Sequence, residues 1–350
     1  MNTVSHLPRV FCLLFVFLLS SSFALSSESE VVDLRLYDFF SLDGEHIWAA
    51  LHNERQEQFV FRSRDGGANW TATKVPSRIW GMFFVSPDEG WAISEEGKEK
   101  TLKVWCVHTL DGGRTWQRAG KLPATWEIYG PVFDTASHGW IVGSDHSGHE
   151  YASAFVLESN DAGEHWERLD WTGEPHSNFG GIRLHNGIAY SWSSGAESTG
   201  VYELQHPGPR KIFDRESMGI AFGANDSLIS PSFNTVYVHS GEAPEWENVL
   251  SDDTVFHDIS FADAAHGCVV GNTIFCTADG GVSWTRRAMP NTPKQEDVDV
   301  WRLYLVDSSD GWAETTDGEI FETHDAAQTW NKVRFFDDKG RPLEQLHHVR

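Results

Sequence analysis

An Asp followed by two small residues and, five positions on, by a Trp recurs along the chain as 63-SRDGGANW-70, 109-TLDGGRTW-116, 159-SNDAGEHW-166, 277-TADGGVSW-284 and 323-THDAAQTW-330. The aspartates Asp65, Asp111, Asp161, Asp279 and Asp325 stand 46, 50, 118 and 46 residues apart. A repeat of that length is one supersecondary unit that cannot cover its own apolar faces, so the copies must pack on one another. The 118-residue gap has room for two further units whose turns have decayed. One is marked by 238-VHSGEAPEWENV-249, which keeps a Gly, a Trp and a following strand, and the other by 202-YELQHPGPRKIF-213.

A second period counts the units independently. Each opens with a short strand, a turn and a second strand headed by a large residue, giving the pairs Tyr37/Trp48, Trp80/Trp91, Tyr129/Trp140, Phe179/Tyr190, Met218/Ile229, His257/Cys268 and Trp301/Trp312, all 11 residues apart. Within the unit 80–120, four apolar or β-branched runs (80–85, 90–94, 102–109 and 115–119) are separated by Pro, Gly and Asp turns. That is the pattern of a four-stranded antiparallel meander. Nothing in the chain keeps a helical period. The expected fold is all-β, a seven-bladed β-propeller over residues 31–336 with a C-terminal tail at 337–350 that could reinforce ring closure.

The Asp turn explains itself without chemistry. Its carboxylate can bond the amides of its own loop, the glycines accept positive φ, and the Trp packs beneath. Five copies in five blades lie far apart, whereas a catalytic pair must converge on one substrate. The five aspartates are therefore expected to be structural.

Residues 1–24 carry Arg9, an apolar run from Val10 to Leu19, and Ser22 and Ala24 placed for cleavage, so they are expected to act as a signal peptide that directs the chain to a secreted or periplasmic location. The run is too short for a membrane span. A net charge of −24 repels nucleic acid and anionic membranes, so neither is an expected partner. Cys106, Cys268 and Cys276 show no metal spacing, and the pair 268/276 brackets a hairpin; two free thiols are expected there, because cross-strand geometry suits a disulfide poorly. The segment 145-DHSGHE-150 lacks metal-protease spacing and reads as a solvated loop. No cofactor and no metal site are expected, and a monomer is.

The S/T-x-D-x-G-x-x-W turn resembles the Asp-box, or bacterial neuraminidase repeat, of sialidases, xyloglucan hydrolases and sortilin-type receptors. The fuller pattern in 259-ISFADAAHGCVVGNTIFCTADGGVSW-284 and 303-LYLVDSSDGWAETTDGEIFETHDAAQTW-330 is similar to the photosystem II stability and assembly-factor family. The resemblance implies a propeller that binds a protein. A sialidase would require Arg-Ile-Pro shortly before the first box; here 78-RIW-80 follows that box and lacks the Pro, so sialidase activity is not expected.

Propellers bind at the mouth where the innermost strands begin. Tyr37, Trp80, Tyr129, Phe179, His257 and Trp301 are expected to form a ring there, interrupted by Met218, with Asp38, Asp258 and Arg302 one residue further along. Such aromatics suit a peptide or a sugar, or else simply pack between blades. Asp38 and Asp258 occupy equivalent positions and are the weak candidates for an acid and base pair of a glycoside hydrolase. The leading reading is a non-catalytic binding or assembly factor for a protein partner; the alternative is a carbohydrate-binding or glycoside-hydrolysing propeller using the aromatic mouth.

Overall fold

The computed structural model describes residues 35–97, 101–125, 127–145, 153–169, 178–194, 199–205, 208–240, 245–291 and 298–349. The expected signal peptide at 1–24 and the histidines of 146–150 lie outside them. The compact unit Asp33–Arg350 contains seven antiparallel sheets, each built from strands consecutive in sequence. Blades 1 to 7 begin with the inner strands Arg35–Ser41, Arg78–Phe84, Ile128–Phe133, Asn178–His185, Ala221–Phe222, Phe256–Phe261 and Val300–Leu305. The expected seven-bladed β-propeller is the observed fold, and blades 4 and 5, which lack the Asp turn, are complete four-stranded sheets.

The core is divided among the blade interfaces. One cluster, for example, joins Trp48 and Val60 of blade 1 to Met82, Phe84 and Ala92 of blade 2, with the Trp48 and Phe84 rings stacked at 3.8 Å. Each meander thus buries its two apolar faces against its two neighbours, which no single blade could do.

Closure uses the C-terminus. Pro342–Val349 adds a fifth strand to blade 7, antiparallel to Asn331–Phe336, so the tail is part of the last sheet. It also reaches blade 1: the Trp70 amide donates to the Glu344 carbonyl at 2.7 Å, Asn53 Nδ2 to the Gly340 carbonyl at 3.0 Å, and Gln345 Nε2 to Asn69 Oδ1 at 3.1 Å.

Cys268 and Cys276 form a disulfide, contrary to the expected free thiols, and Cys106 is a buried free thiol. The two cysteines stand directly opposite on neighbouring strands. Their Cα atoms are only 4.0 Å apart, a closer approach than a generic antiparallel pair makes, and that brings the sulfurs within bonding reach.

Candidate functional site

The inner strands begin at one end of the ring, and most of them bulge there. The pairing register slips between Leu36 and Asp38, Trp80 and Phe83, Phe179 and Gly181, Phe256 and Asp258, and Val300 and Arg302. A bulge leaves one residue without a cross-strand partner and re-aims its side chain. In blades 1, 6 and 7 that residue is Tyr37, His257 or Trp301. The residue just before it is buried: Leu36, Phe256 and Val300, matched by Ile79 and Ile128 in blades 2 and 3.

Phe179 falls in this buried column and not in the expected ring. It stands opposite Ser193, three residues past Tyr190, as Phe256 stands opposite Gly271, three past Cys268. Blade 4 turns between its first two strands through Asn186 and Gly187 alone where its neighbours use five residues, and its strands are longer, so that the span from the buried residue to its partner is one residue shorter than in blades 1 and 6 and the 11-residue count lands one position early. The bulge residue of blade 4 is Gly180, where a Cβ would meet Trp192 Nε1 at 2.7 Å.

The remaining ring residues differ in what they are free to do. The Arg78 guanidinium lies over the rings of both Tyr37 (4.5 Å) and Trp80 (4.7 Å) and pairs with Glu95 at 3.3 Å. Trp80 is itself buried, and its Nε1 donates to the Ile128 carbonyl of blade 3 at 3.3 Å. Tyr37 stacks on His52. Tyr129 is half-buried; burial and Glu127 push its hydroxyl pKa up while Arg302 opposes them. The Met218 amide donates to the Pro231 carbonyl. His257 bonds Asp299 at 2.9 Å and packs against Trp301 at 5.2 Å, and Trp301 is 49% exposed.

The two candidate carboxylates are engaged with backbone. Asp38 Oδ2 accepts from the Met82 amide in blade 2. Asp258 Oδ2 accepts from the Leu303 amide in blade 7 at 3.0 Å, and its Oδ1 from the Ile259 amide at 2.8 Å. Each therefore fastens its blade to the inner strand of the next. Arg302 donates to the Tyr37 carbonyl at 3.4 Å and is held cationic by the Tyr304 hydroxyl, Glu314, Asp38 and Asp258. Desolvation raises Asp38 to about 6 despite the Met82 amide and Arg302, and it raises Asp258 despite Arg183 and the Leu303 amide. Arg183, in turn, donates to the Ile259 carbonyl at 3.0 Å. Chemically this is a charge-compensated axis in which carboxylate oxygens serve as acceptors between blades.

The Asp boxes occupy the opposite end. In blade 6, Thr277 Oγ1 donates to Asp279 Oδ1 at 2.7 Å, the Ser283 amide to the same oxygen at 2.8 Å, and Trp284 Nε1 to the Gly281 carbonyl at 3.0 Å. Asp65, Asp111, Asp161 and Asp325 accept in the same way from the amides of Asn69, Thr115, His165 and Thr329. Each box is also tied to the first turn of its own blade, by the Gly66, Gly112, Ala162, Gly280 and Ala326 amides. Asp161, Glu164 and His165 have ligand atoms within 4.8 Å of one another, but they are exposed and Asp161 is occupied in its box. The Ser283 and Thr277 bonds hold Asp279 at about 2. A depressed carboxylate stabilises the fold above its unfolded pKa of about 3.9 and loses that contribution as pH falls toward the folded value. Asp279→Asn should accordingly lower the thermal midpoint at pH 5, with the gap to wild type closing between pH 4 and about 2; a gap independent of pH would contradict it.

Three contributors at the mouth end carried no sequence signal. Arg78 is placed by pairing with two aromatics from adjacent blades, and Phe233 and Val255 stand out only through their exposure.

Comparison with known proteins places these features in context. The sequence model of the family described as photosynthesis system II assembly factor YCF48 matches residues 238–343, the stretch of blades 5 to 7. No curated protein matches the sequence. Among solved structures, YCF48 bound to D1 peptide is similar with a TM-score of 0.60 and 17% identity over 84% of this chain and 94% of that one. YCF48 from Cyanidioschyzon merolae gives 0.57 and 17%, covering 84% and 96%. The GH74 xyloglucanase from Xanthomonas campestris gives 0.59 and 11%, covering 90% of this chain and 54% of that one. The resemblance to the assembly-factor repeat is thus found by sequence in the last blades, and the propeller fold across the ring is shared with YCF48 structures and, at lower sequence identity, with a glycoside hydrolase.

Proposed function

We propose that the chain is an exported, non-catalytic propeller that binds a protein partner, as an assembly or stability factor does, at the end of the ring where the inner strands begin. The observation that carries this reading is the engagement of Asp38 and Asp258. A general acid and base must present their oxygens to a bound substrate, whereas these two accept backbone amides from neighbouring blades and flank Arg302. The similarity to a YCF48 structure with a peptide bound agrees with it. Export is supported by the signal-like residues 1–24 and by the Cys268–Cys276 disulfide, which suits an oxidising compartment.

The test has two arms. Wild-type protein incubated with xyloglucan and other β-glucans should release no reducing ends, and a glycan array should stay blank, while a displayed peptide library should yield binders. Xyloglucan cleavage that disappears in Asp258→Asn would overturn the reading in favour of the hydrolase.

A further inference from the structure

Seven large apolar side chains are exposed among the described residues. Val85, Leu110 and Val282 belong to a first turn and to Asp boxes, and Ile188 starts the strand after the first turn of blade 4, all at the far end of the ring. The other three, Phe233 (50% exposed), Val255 (41%) and Trp301, all lie at the mouth end on blades 5 to 7. They are physically linked. The Phe256 amide donates to the Phe233 carbonyl at 2.7 Å, Val255 directly precedes Phe256, and His257 directly follows it and packs against Trp301. Phe233 has φ of +49°, in the first position of a two-residue turn between Leu228–Ser232 and Thr235–His239. That conformation favours Gly, and a bulky residue held there costs stability. An exposed aromatic kept at a strained position points to a use outside the fold.

The border of this patch is acidic. Asp252 lies against the same turn, its amide donating to the Asn234 carbonyl at 3.0 Å; Asp253 follows it, and Asp299 holds His257 on the other side. Arg302, next to Trp301 in sequence, is turned inward to the Tyr37 carbonyl and the buried carboxylates. An apolar centre with an acidic edge is complementary to an apolar side chain flanked by basic ones.

We propose that Phe233, Val255 and Trp301 form a docking patch for an extended protein segment carrying an apolar anchor next to Lys or Arg, with Asp252 and Asp253 contacting the basic flank. This rests on the protein-binding reading above and names the class of segment.

The experiment selects a phage-displayed library of random 12-residue peptides on the full chain, then measures synthetic versions of the winners against variants. Winners should combine an aromatic or aliphatic residue with Lys or Arg, and their affinity should fall as salt is raised. Phe233→Gly removes the anchor contact and relieves the backbone, so it should fold at least as stably as wild type while binding falls about thirty-fold. Trp301→Ala should lose a similar factor, and Asp252→Asn with Asp253→Asn should weaken binding and flatten its salt dependence. Winners rich in Asp and Glu, or winners bound equally by Phe233→Gly and Trp301→Ala, would overturn the patch and leave the protein-binding reading standing. A library without winners, alongside polysaccharide binding, would overturn both.

Discussion

Gly81→Ala is expected to be among the most damaging single substitutions in the protein. A Cβ at this position would sit 1.8 Å from the Gly130 carbonyl oxygen of blade 3 and 3.0 Å from its carbon, and the residue has φ of +61°. Backbone cannot swing aside as a flexible side chain can, so the two inner strands would have to separate. The left-handed conformation costs an L-residue about 1 kcal/mol, and forcing the overlap adds about 1–3 kcal/mol or more. A total near 4 kcal/mol is a large share of the roughly 5–15 kcal/mol that holds a domain together. Gly187→Ala supplies the control, because it also has positive φ, +76°, but nothing lies within 4 Å of its Cβ position. Urea titrations should show a loss of about 1 kcal/mol for the control and several-fold more for Gly81→Ala. Equal losses would mean that blades 2 and 3 do not approach as described.

Deleting residues 341–350 is expected to have the second large effect. The deletion removes the strand that pairs with Asn331–Phe336 and takes away the carbonyl that receives the Trp70 amide. At about 1 kcal/mol of net stability per hydrogen bond, loss of the strand and its link to blade 1 amounts to about 4 kcal/mol or more. For a chain this size that lowers Tm by on the order of 5 °C. Hydrogen exchange tells closure from general weakening. The Trp70 amide and its neighbours in blade 1 should lose protection early, while blade 4, on the other side of the ring, keeps its own. An unchanged Tm with full protection at Trp70 would show that the ring closes on side-chain packing alone.

The fold was legible because its determinants are local and repeated. A Ser or Thr, an Asp, two small residues and a Trp make a turn whose Asp bonds are internal to it, so the motif announces itself wherever it occurs. The strand spacing likewise survived in blades 4 and 5 after their boxes had gone. What escaped were features set by tertiary geometry. A shorter turn in blade 4 shifted Phe179 by one step, and only the bulge and the burial of its neighbours reveal the shift. The disulfide depended on how closely two strands approach. The candidate site was legible in part: Trp301 and His257 do project at the mouth, but Trp80 turned inward to bond blade 3, and the amides of the next blade that hold Asp38 and Asp258 lie more than forty residues away. Phe233 and Val255 had no pattern to mark them, since exposure of an apolar residue is a property of the assembled ring.

The tryptophans that head the second strands give the ring a direction. Trp48 donates to the Gly112 carbonyl in the box of blade 2, Trp91 to the Ala162 carbonyl in the box of blade 3, and the Trp312 ring lies against Gly67 in the box of blade 1. Blades 1, 2 and 7 are in this way latched forward onto their successors. Blades 4 and 5 have no box to receive such a latch; the backward bond of Trp246 in blade 5 to the Ile212 carbonyl of blade 4 is one that Trp330 of blade 7 also makes, to the Ala288 carbonyl of blade 6. The circle therefore has a seam that lies away from the chain ends, which the final strand clamps. When the ring breathes it should give way along that unlatched arc, next to the blade edge where Phe233 stands.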